Sequence, residues 1–271
     1  MQYSVLMSVY KNENPLFLRA SIDSILNQTI KTDDFVIVWD GPLPLDLMRV
    51  LESYEIKFPE IFRFLKLRVN VGLGNALNQG VRYCRHQLVA RMDTDDVAVS
   101  ERMEWQLEAF EKNPQLALCG GQIAEFMSEH DTVNSIREVP CDWDEIYVYA
   151  KKRNPMNHMS VMFRKEAVLD AGNYLHMDMA EDYYLWVRML LRGYQAENLP
   201  QVLVKARVGN GMFDRRGGLR YAKSMCRLLK TFYKYGFINR RELVIGILVR
   251  SLISFIPSDM RKIIYQKKLR K

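Results

Sequence analysis

Three acidic residues in one short segment could hold a metal ion. Asp93, Asp95 and Asp96 directly follow the apolar segment 87–92, which we expect to be a buried strand. Clustered carboxylates repel one another unless a cation neutralises them, and Mg²⁺ or Mn²⁺ prefers such hard oxygen ligands together with phosphate oxygens and water. The spacing of Asp93 and Asp95 therefore predicts a metal–diphosphate site, and an acidic cap of the following helix is the alternative.

A second acidic pair opens an apolar helical segment further along the chain. Glu181 and Asp182 precede residues 183–192, whose apolar side chains fit one helix face, and Gly193 is a natural stop for this helix. A carboxylate at a rigid helix end can act as a general base, because the helix dipole keeps it ionised. The same dipole favours acidic residues in a first helical turn without any catalytic role, so the pair alone leaves both interpretations open.

Two polar loops supply candidate contacts to an anionic ligand. Asp40 follows the apolar segment 35–39 at a turn. The segment 70–78 is a glycine-bearing turn into a helix whose N-terminus can face an anion, with candidate contacts at Asn70, Gly74 and Asn78. It matches neither the dinucleotide fingerprint nor the Walker loop, which excludes an NAD-dependent dehydrogenase on sequence grounds. A glycine turn without a ligand is the alternative.

Alternating strands and helices must position these residues. Apolar segments at 3–10, 35–39, 61–67, 87–92 and 116–119 alternate with helical patterns at 15–28, 44–57, 75–85 and 100–112. This alternation is typical of the α/β class, a mostly parallel sheet flanked by helices, in which ligands bind at the carboxyl ends of the strands. Three of those ends should therefore converge: Ser8–Lys11, Asp40 and Asp93–Asp96.

The pattern changes after about residue 122. We expect strands over 123–139 and 195–208, helices over 142–151 and 181–192, and a mostly helical stretch over 216–268. These expectations give one compact domain at 1–210 and a helical extension at 211–271.

Composition limits the class of protein. The chain has 271 residues, of which 48% are hydrophobic and 26% charged, so disordered and collagen-like proteins are excluded. The four cysteines lie far apart without a C-x-x-C pair, which predicts neither disulfides nor a zinc site and favours a reducing, cytoplasmic compartment. We find no signal peptide, and no apolar run reaches the length of a transmembrane helix.

The net charge of +7 is distributed unevenly, because residues 215–271 carry sixteen Lys and Arg against Glu242 and Asp259. The segment 242–256 is an apolar helix with one narrow polar stripe formed by Glu242, Gly246, Arg250 and Ser254. This helix and the basic segment 258–271 favour attachment to an anionic bilayer, at the cytoplasmic face of the cell membrane. Packing of the apolar helix on the protein body is the alternative, and nucleic-acid binding is not expected without a reading module.

Six motifs in a fixed order resemble bacterial glycosyltransferase family 2, with a GT-A-type fold, over roughly residues 3–208. They are S-V-Y-K-N-E at 8–13, V-W-D-G-P at 38–42, N-V-G-L-G-N-A-L-N-Q-G at 70–80, A-R-M-D-T-D-D at 90–96, N-P-x-x-H-x-S at 154–160 and E-D-Y-Y-L-W at 181–186. The resemblance implies that a hexose moves, with inversion and a β-linkage, from a UDP-sugar to a lipid-diphosphate-linked sugar. An acceptor such as GlcNAc-diphosphate-undecaprenol of O-antigen synthesis is implied in the same way.

The resemblance also implies roles for individual residues. Asp40 would hold the nucleotide base, in a pocket lined by Ser8, Val9 and Tyr10. Asp93 and Asp95 would occupy the D-x-D positions, with Asp95 the direct ligand of Mn²⁺ or Mg²⁺. Asp182 would be the acceptor-activating base, with Glu181 beside it. We keep His158 as a candidate acceptor contact only, since a lone histidine is more often a structural hydrogen-bonding residue than a catalyst.

One departure from the family pattern concerns Trp39, since many relatives have a second acid directly before Asp40. The nucleotide would then contact one carboxylate, that of Asp40, and pack against the ring of Trp39.

Two other functions compete with this interpretation. A nucleotidyltransferase would need a glycine- and arginine-rich loop after the first strand, and residues 11–14 (K-N-E-N) are not one. A non-enzymatic, basic-tailed membrane module would account for the C-terminal charge, but it leaves the acidic residues without a use.

Overall fold

A computed structural model of the protein describes residues 1–126, 135–208 and 217–256. Its strands are β1 (Tyr3–Val9), β2 (Asp34–Trp39), β3 (Phe62–Lys66), β4 (Leu88–Arg91), β5 (Val97–Ala98), β6 (Leu116–Phe126), β7 (Ser135–Arg137), β8 (Met162–Arg164) and β9 (Gln195–Arg207). Its helices are α1 (Pro15–Leu26), α2 (Leu45–Lys57), α3 (Leu73–Tyr83), α4 (Arg102–Lys112), α5 (Trp143–Ala150), α6 (Lys165–Asp170), α7 (Glu181–Leu191), α8 (Gly218–Lys234) and α9 (Arg240–Phe255). A single 3₁₀ turn covers His158–Ser160.

The strands form one sheet in the order β3-β2-β1-β4-β8-β6-β9-β5, with β7 paired to β6. The first four strands of this order are parallel, and β6 and β9 form a further parallel pair. β8 runs antiparallel between β4 and β6, and so joins the two parallel regions. The predicted α/β fold with helices on both faces is confirmed.

Alternate residues of the strands pack on opposite faces of the sheet. In β2, Phe35 and Ile37 belong to an apolar cluster with α1, α2 and α4, whereas Val36 and Val38 belong to a second cluster with α3 and α7. Because β2 is buried on both faces, it reads in the sequence as a continuous apolar run.

Two adjacent glycines do not end the strand that we predicted over 116–119. β6 continues through Gly120 and Gly121 to residue 126, because β9 approaches so closely that side chains would not fit. A Cβ on Gly120 would lie 2.4 Å from Asn198 Oδ1, and one on Gly121 would lie 2.5 Å from Leu203 Cδ1. The predicted strand over 123–139 is thus the end of β6 plus β7, with 127–134 outside the described residues.

The C-terminal helices pack on the body of the protein. Leu228, Leu229 and Phe232 of α8 are buried in the same apolar cluster as Trp186 of α7. The predicted boundary at 210/211 and the basic segment 258–271 lie outside the described residues, so the division into domain and extension stays a prediction. Of the helices that the structure describes, none is long and apolar enough to cross a bilayer.

Candidate functional site

The acidic cluster lies at the carboxyl end of β4, as predicted. Carboxylate oxygens of Asp93, Asp95 and Asp96 lie within 4.8 Å of one another. Burial, together with the charges of Asp93 and Asp95, raises the pKa of Asp96 well above its ordinary value. Three convergent carboxylates fit a hard divalent cation, whose charge would offset their mutual repulsion.

Two arginines that the sequence analysis did not single out hold this cluster. Arg91 is 2% exposed, and both of its terminal nitrogens donate to the carboxylate of Asp93. Arg207 donates its backbone N–H to Asp96 Oδ1 at 2.8 Å and its Nε–H to the carbonyl oxygen of Asp95 at 3.2 Å. Arg91 is a charged residue within the apolar segment 87–92, and a buried charge needs a partner. The sequence could therefore have predicted an ion pair for it. Arg207 comes close only through the long path of β9, and no local pattern marks it.

The structure places Asp40 at the same edge of the sheet, directly after β2. Its carboxylate accepts hydrogen bonds from Val71 N at 2.6 Å, from Gly72 N at 3.0 Å and from Asn70 Nδ2 at 3.0 Å. The chain can approach this closely because residue 41 is glycine, with φ +88° and no Cβ to strike Asn70 N. Asp40 therefore holds the glycine loop in place, and a direct contact from Asp40 to a nucleotide base stays a prediction.

Residues 8–10 end β1 beside Asp40. The backbone N–H of Asp40 donates to the carbonyl oxygen of Val9 at 2.8 Å, which fixes the two strand ends to each other. Val9 is buried, whereas Ser8 and Tyr10 are partly exposed. Of these three residues, Ser8 and Tyr10 thus retain side-chain surface for a ligand.

Asn78 and Gly74 connect α3 to the other side of the site. Asn78 Nδ2 donates to the carbonyl oxygen of Tyr174 at 2.7 Å, so its amide nitrogen is used inside the fold. A Cβ on Gly74 would lie 3.2 Å from Cβ of Glu181, which places this glycine against the acidic pair. Both residues thus position neighbouring segments, and their contacts with a sugar nucleotide stay a prediction.

Glu181 and Asp182 begin α7, as the sequence predicted. Asn154 Nδ2 donates to Asp182 Oδ2 at 2.6 Å. Burial raises the pKa of Asp182 above its ordinary value, and hydrogen bonds from Tyr183 N–H and Asn154 oppose this rise. Burial and the neighbouring charge of Asp182 raise the pKa of Glu181 to about 7. Because the charge of Asp182 is one of the causes that raise the pKa of Glu181, Asp182 loses its proton before Glu181 does.

His158 packs against Tyr174 and Trp186. Its Nε2 is 2.9 Å from the hydroxyl oxygen of Tyr174, and its ring meets Trp186 edge-on at 6.0 Å. Burial and the nearby Arg91 guanidinium lower the pKa of His158 well below its ordinary value, so the imidazole is neutral. The structural alternative weighed for His158 is supported, and its contact with an acceptor stays a prediction.

Arg91 joins the two acidic sets. Its positive charge lowers the pKa of Asp96 in the acidic cluster, and it also lowers the pKa values of Glu181 and Asp182. One buried guanidinium thus lies within electrostatic reach of both the metal-binding candidates and the candidate base.

Comparison with known proteins gives the family to which the sequence is similar. A sequence model described as Glycosyl transferase family 2 matches residues 4–172. An uncharacterized glycosyltransferase of Haemophilus influenzae is 42% identical over 271 residues, 100% of both chains. The amylovoran biosynthesis glycosyltransferase AmsE of Erwinia amylovora is 37% identical over 98% of both chains. The UDP-Gal:alpha-D-GlcNAc-diphosphoundecaprenol beta-1,3-galactosyltransferase of Escherichia coli is 34% identical over 100% of this chain and 97% of its own.

Solved structures share the fold at low sequence identity. The mannosyltransferase PcManGT from Pyrobaculum calidifontis, in complex with GDP-Man and Mn²⁺, has a TM-score of 0.67 at 16% identity, over 92% of this chain and 69% of its own. Staphylococcus aureus TarS 1–349 in complex with UDP-GlcNAc has a TM-score of 0.65 at 16% identity, over 99% of this chain and 76% of its own.

Proposed function

Since this chain belongs to glycosyl transferase family 2, we propose that it moves a hexose from a UDP-sugar to a sugar carried on a lipid diphosphate. The general activity, sugar transfer in polysaccharide or O-antigen biosynthesis, follows from the family and its relatives. The name of the Escherichia coli relative supports both the UDP-sugar and the lipid-linked acceptor. Because a lipid-linked acceptor lies at a membrane, our proposal also places the reaction at the cytoplasmic face of the cell membrane, as the sequence analysis expects.

The observation that carries the proposal is an acidic cluster at the end of β4, where Arg91 bonds to Asp93, together with an acidic pair at the start of α7. A metal-binding cluster with Asp93 and Asp95 suits the diphosphate of a sugar nucleotide, and a half-buried carboxylate at Asp182 suits the proton of an acceptor hydroxyl. Held by Asp95 and Asp93, a bound Mn²⁺ or Mg²⁺ would neutralise charge that grows on the leaving diphosphate.

The remaining steps follow from the residues of this chain. Asp182 accepts the proton of the acceptor hydroxyl while that oxygen forms a bond to the anomeric carbon. The bond from the anomeric carbon to the diphosphate oxygen breaks on the opposite face, and UDP leaves with the electron pair. One such displacement inverts the anomeric centre, so an α-linked donor gives a β-glycoside. Arg91 orients Asp93 and favours the ionised form of Asp182.

A donor screen tests the proposal. Purified protein, Mn²⁺ and a synthetic GlcNAc-diphosphate-lipid are incubated with each of several radiolabelled UDP-hexoses, and the lipid product and free UDP are measured. We expect label in the lipid with an equal amount of UDP, and loss of at least about 10²-fold with EDTA or in Asp95→Ala. Glu60→Ala, which removes an exposed acid outside the site, should retain full transfer.

Two results would contradict the proposal. Release of diphosphate with transfer of the nucleotide would identify a nucleotidyltransferase. Normal turnover of Asp95→Ala in EDTA would show that the reaction needs no metal ion.

A rise in melting temperature with UDP and Mn²⁺ is expected of a transferase and not of a non-enzymatic membrane module, because a ligand of the native state stabilises it.

A further inference from the structure

Helix α9 is turned so that its polar stripe faces the protein. Gly246 lies against Leu229 of α8, where an added Cβ would be 3.0 Å from Leu229 Cδ1. Arg250 donates to Met225 Sδ at 3.1 Å and to the carbonyl oxygen of Lys152 at 2.9 Å. The opposite face presents five apolar side chains to solvent: Val244 (50% exposed), Ile245 (50%), Leu248 (58%), Val249 (48%) and Leu252 (69%). We call these five residues the apolar row.

A row of cations on α8 lies beside the apolar row. Four exposed side chains line a groove between the two helices together with Ser251 of α9: Lys223, Arg227, Lys230 and Lys234. Ser251 is three and seven residues from Leu248 and Val244, so these residues share a side of α9 and the groove borders the apolar row. We call the four cations the basic row.

The basic row is not neutralised by its own helices. Residues 217–256 contain eight Lys and Arg and one acid, Glu242. Glu242 is used in a capping box at the start of α9, where its Oε2 accepts the N–H of Asn239 at 2.8 Å. The surface therefore combines exposed apolar area with net positive charge.

Both helices are fixed to the part of the fold that carries the candidate base. The hydroxyl of Ser224 on α8 donates to the carbonyl oxygen of Asp178, three residues before Glu181. Arg250 of α9 lies over the ring of Tyr183, next to Asp182. A partner bound to this surface would therefore lie close to the start of α7.

We propose that the apolar row and the basic row together dock on the surface of an anionic bilayer. The five apolar side chains enter the boundary between headgroups and acyl chains, and the four cations contact lipid phosphates. This arrangement locates the membrane contact within residues 217–256. The proposal rests on the proposed function only for the identity of the membrane. Binding of this surface to an anionic bilayer does not depend on sugar transfer.

Charge decides between the bilayer and other occupants. A contact between two copies through this face would bring two basic rows into one interface, and like charges at an interface oppose association. The segment 257–271 carries six Lys and Arg against Asp259, so it would not neutralise the basic row either. Anionic headgroups complement both rows.

Vesicle flotation of the full-length protein tests the proposal. Vesicles of phosphatidylcholine, with and without phosphatidylglycerol, are used without nucleotide or acceptor, so the result is independent of transfer activity. We expect binding to the anionic vesicles at low salt. Leu248→Gln with Leu252→Gln should weaken the partition coefficient by about tenfold or more. Lys223→Gln with Lys230→Gln should weaken it about 25-fold on anionic vesicles and little on neutral ones.

A matched control replaces two exposed apolar residues on other helices, Leu16→Gln with Ile56→Gln, and should bind like the unaltered protein. Melting by circular dichroism verifies that each variant is folded. Undiminished binding of folded variants of both rows would overturn the proposal and assign the contact to another part of the chain. A dimer in sedimentation that Leu248→Gln with Leu252→Gln dissociates would overturn it in favour of a second copy.

Discussion

Glu181 and Asp182 are neighbours in the sequence with different surroundings. Asp182 accepts a hydrogen bond from Asn154, whereas burial and the charge of Asp182 raise the pKa of Glu181 to about 7. A general base must be ionised at the working pH, and at neutral pH this condition favours Asp182 over Glu181.

Asp182→Asn should therefore retain donor binding and lose turnover by about 10²–10⁴-fold, because the amide keeps the shape of the side chain but accepts no proton. Steady-state kinetics, together with calorimetric titration of UDP and Mn²⁺, separate the two effects. Glu181→Gln is the matched control and should turn over within about tenfold of the unaltered enzyme. An acidic limb of the rate profile near pH 7 that disappears in Glu181→Gln, with an active Asp182→Asn, would reverse the two roles.

The raised pKa of Glu181 also predicts a pH dependence of stability. The folded state holds this proton more tightly than the unfolded chain, so its contribution is fully present below about pH 4.5 and is lost as pH rises to about 7. Glu181→Gln cannot ionise and should avoid this loss. At about 1.4 kcal/mol for each pKa unit, the variant should gain roughly 2–3 kcal/mol relative to the unaltered protein across that window.

Urea unfolding at both ends of the window measures the difference. Glu60→Gln, at an exposed acid, should show no such gain. An equal gain in the two variants would mean that the folded state holds the Glu181 proton no more tightly than the unfolded chain does.

At the scale of elements, helix α3 connects the sheet to the acidic pair. Gly80 faces the sheet, where a Cβ would lie 2.4 Å from Leu6 Cδ1 and 2.9 Å from Val38 Cγ2. Gly74, two turns earlier, faces Glu181 instead. One helix thus carries a glycine required by the core and another required by the candidate site.

The two glycines should respond differently to alanine. Gly80→Ala should cost about 1–3 kcal/mol of stability by overpacking, with normal turnover in the folded fraction. Gly74→Ala should change stability little, since its helix propensity gain of about 1 kcal/mol offsets the tight contact. It should lower turnover roughly tenfold, because a shift of Glu181 also moves the adjacent Asp182. Urea titration measures the free energy of unfolding of both variants, and steady-state kinetics measures their turnover. Normal turnover in Gly74→Ala would show that Glu181 can shift without affecting catalysis.

At the scale of the whole molecule, one apolar cluster runs from the sheet through α7 to α8. Phe232 is fully buried there and meets Tyr183 edge-on at 5.1 Å, whereas the adjacent Tyr233 is 46% exposed. The packing therefore couples the C-terminal helices to the body of the transferase.

Phe232→Ala should cost about 3–5 kcal/mol in a single cooperative unfolding transition, because it leaves a cavity in a shared core. Tyr233→Ala should change stability by less than about 0.5 kcal/mol. Calorimetry distinguishes this result from two separate transitions, which would mean that residues 211–271 form an independent unit.

The sequence by itself determined most of the elements and the edge of the sheet at which the acidic residues lie. Asp93, Asp95 and Asp40 follow apolar strands directly, and parallel strands bring their carboxyl ends together. The acidic start of α7 was likewise readable from its helical period. Local patterning is sufficient for these features, because each depends on residues close together in the chain.

Only the tertiary structure decided how these residues are held and which way the C-terminal helix faces. Arg207 reaches Asp95 and Asp96 across more than a hundred positions, and Asn154 reaches Asp182 across 28. The apolar face of α9 was legible from spacing, but whether it faces the core or solvent depends on the fit of Gly246 and Arg250 against α8. Contacts between distant segments are fixed by shape and charge in three dimensions, and no local pattern in the sequence encodes them.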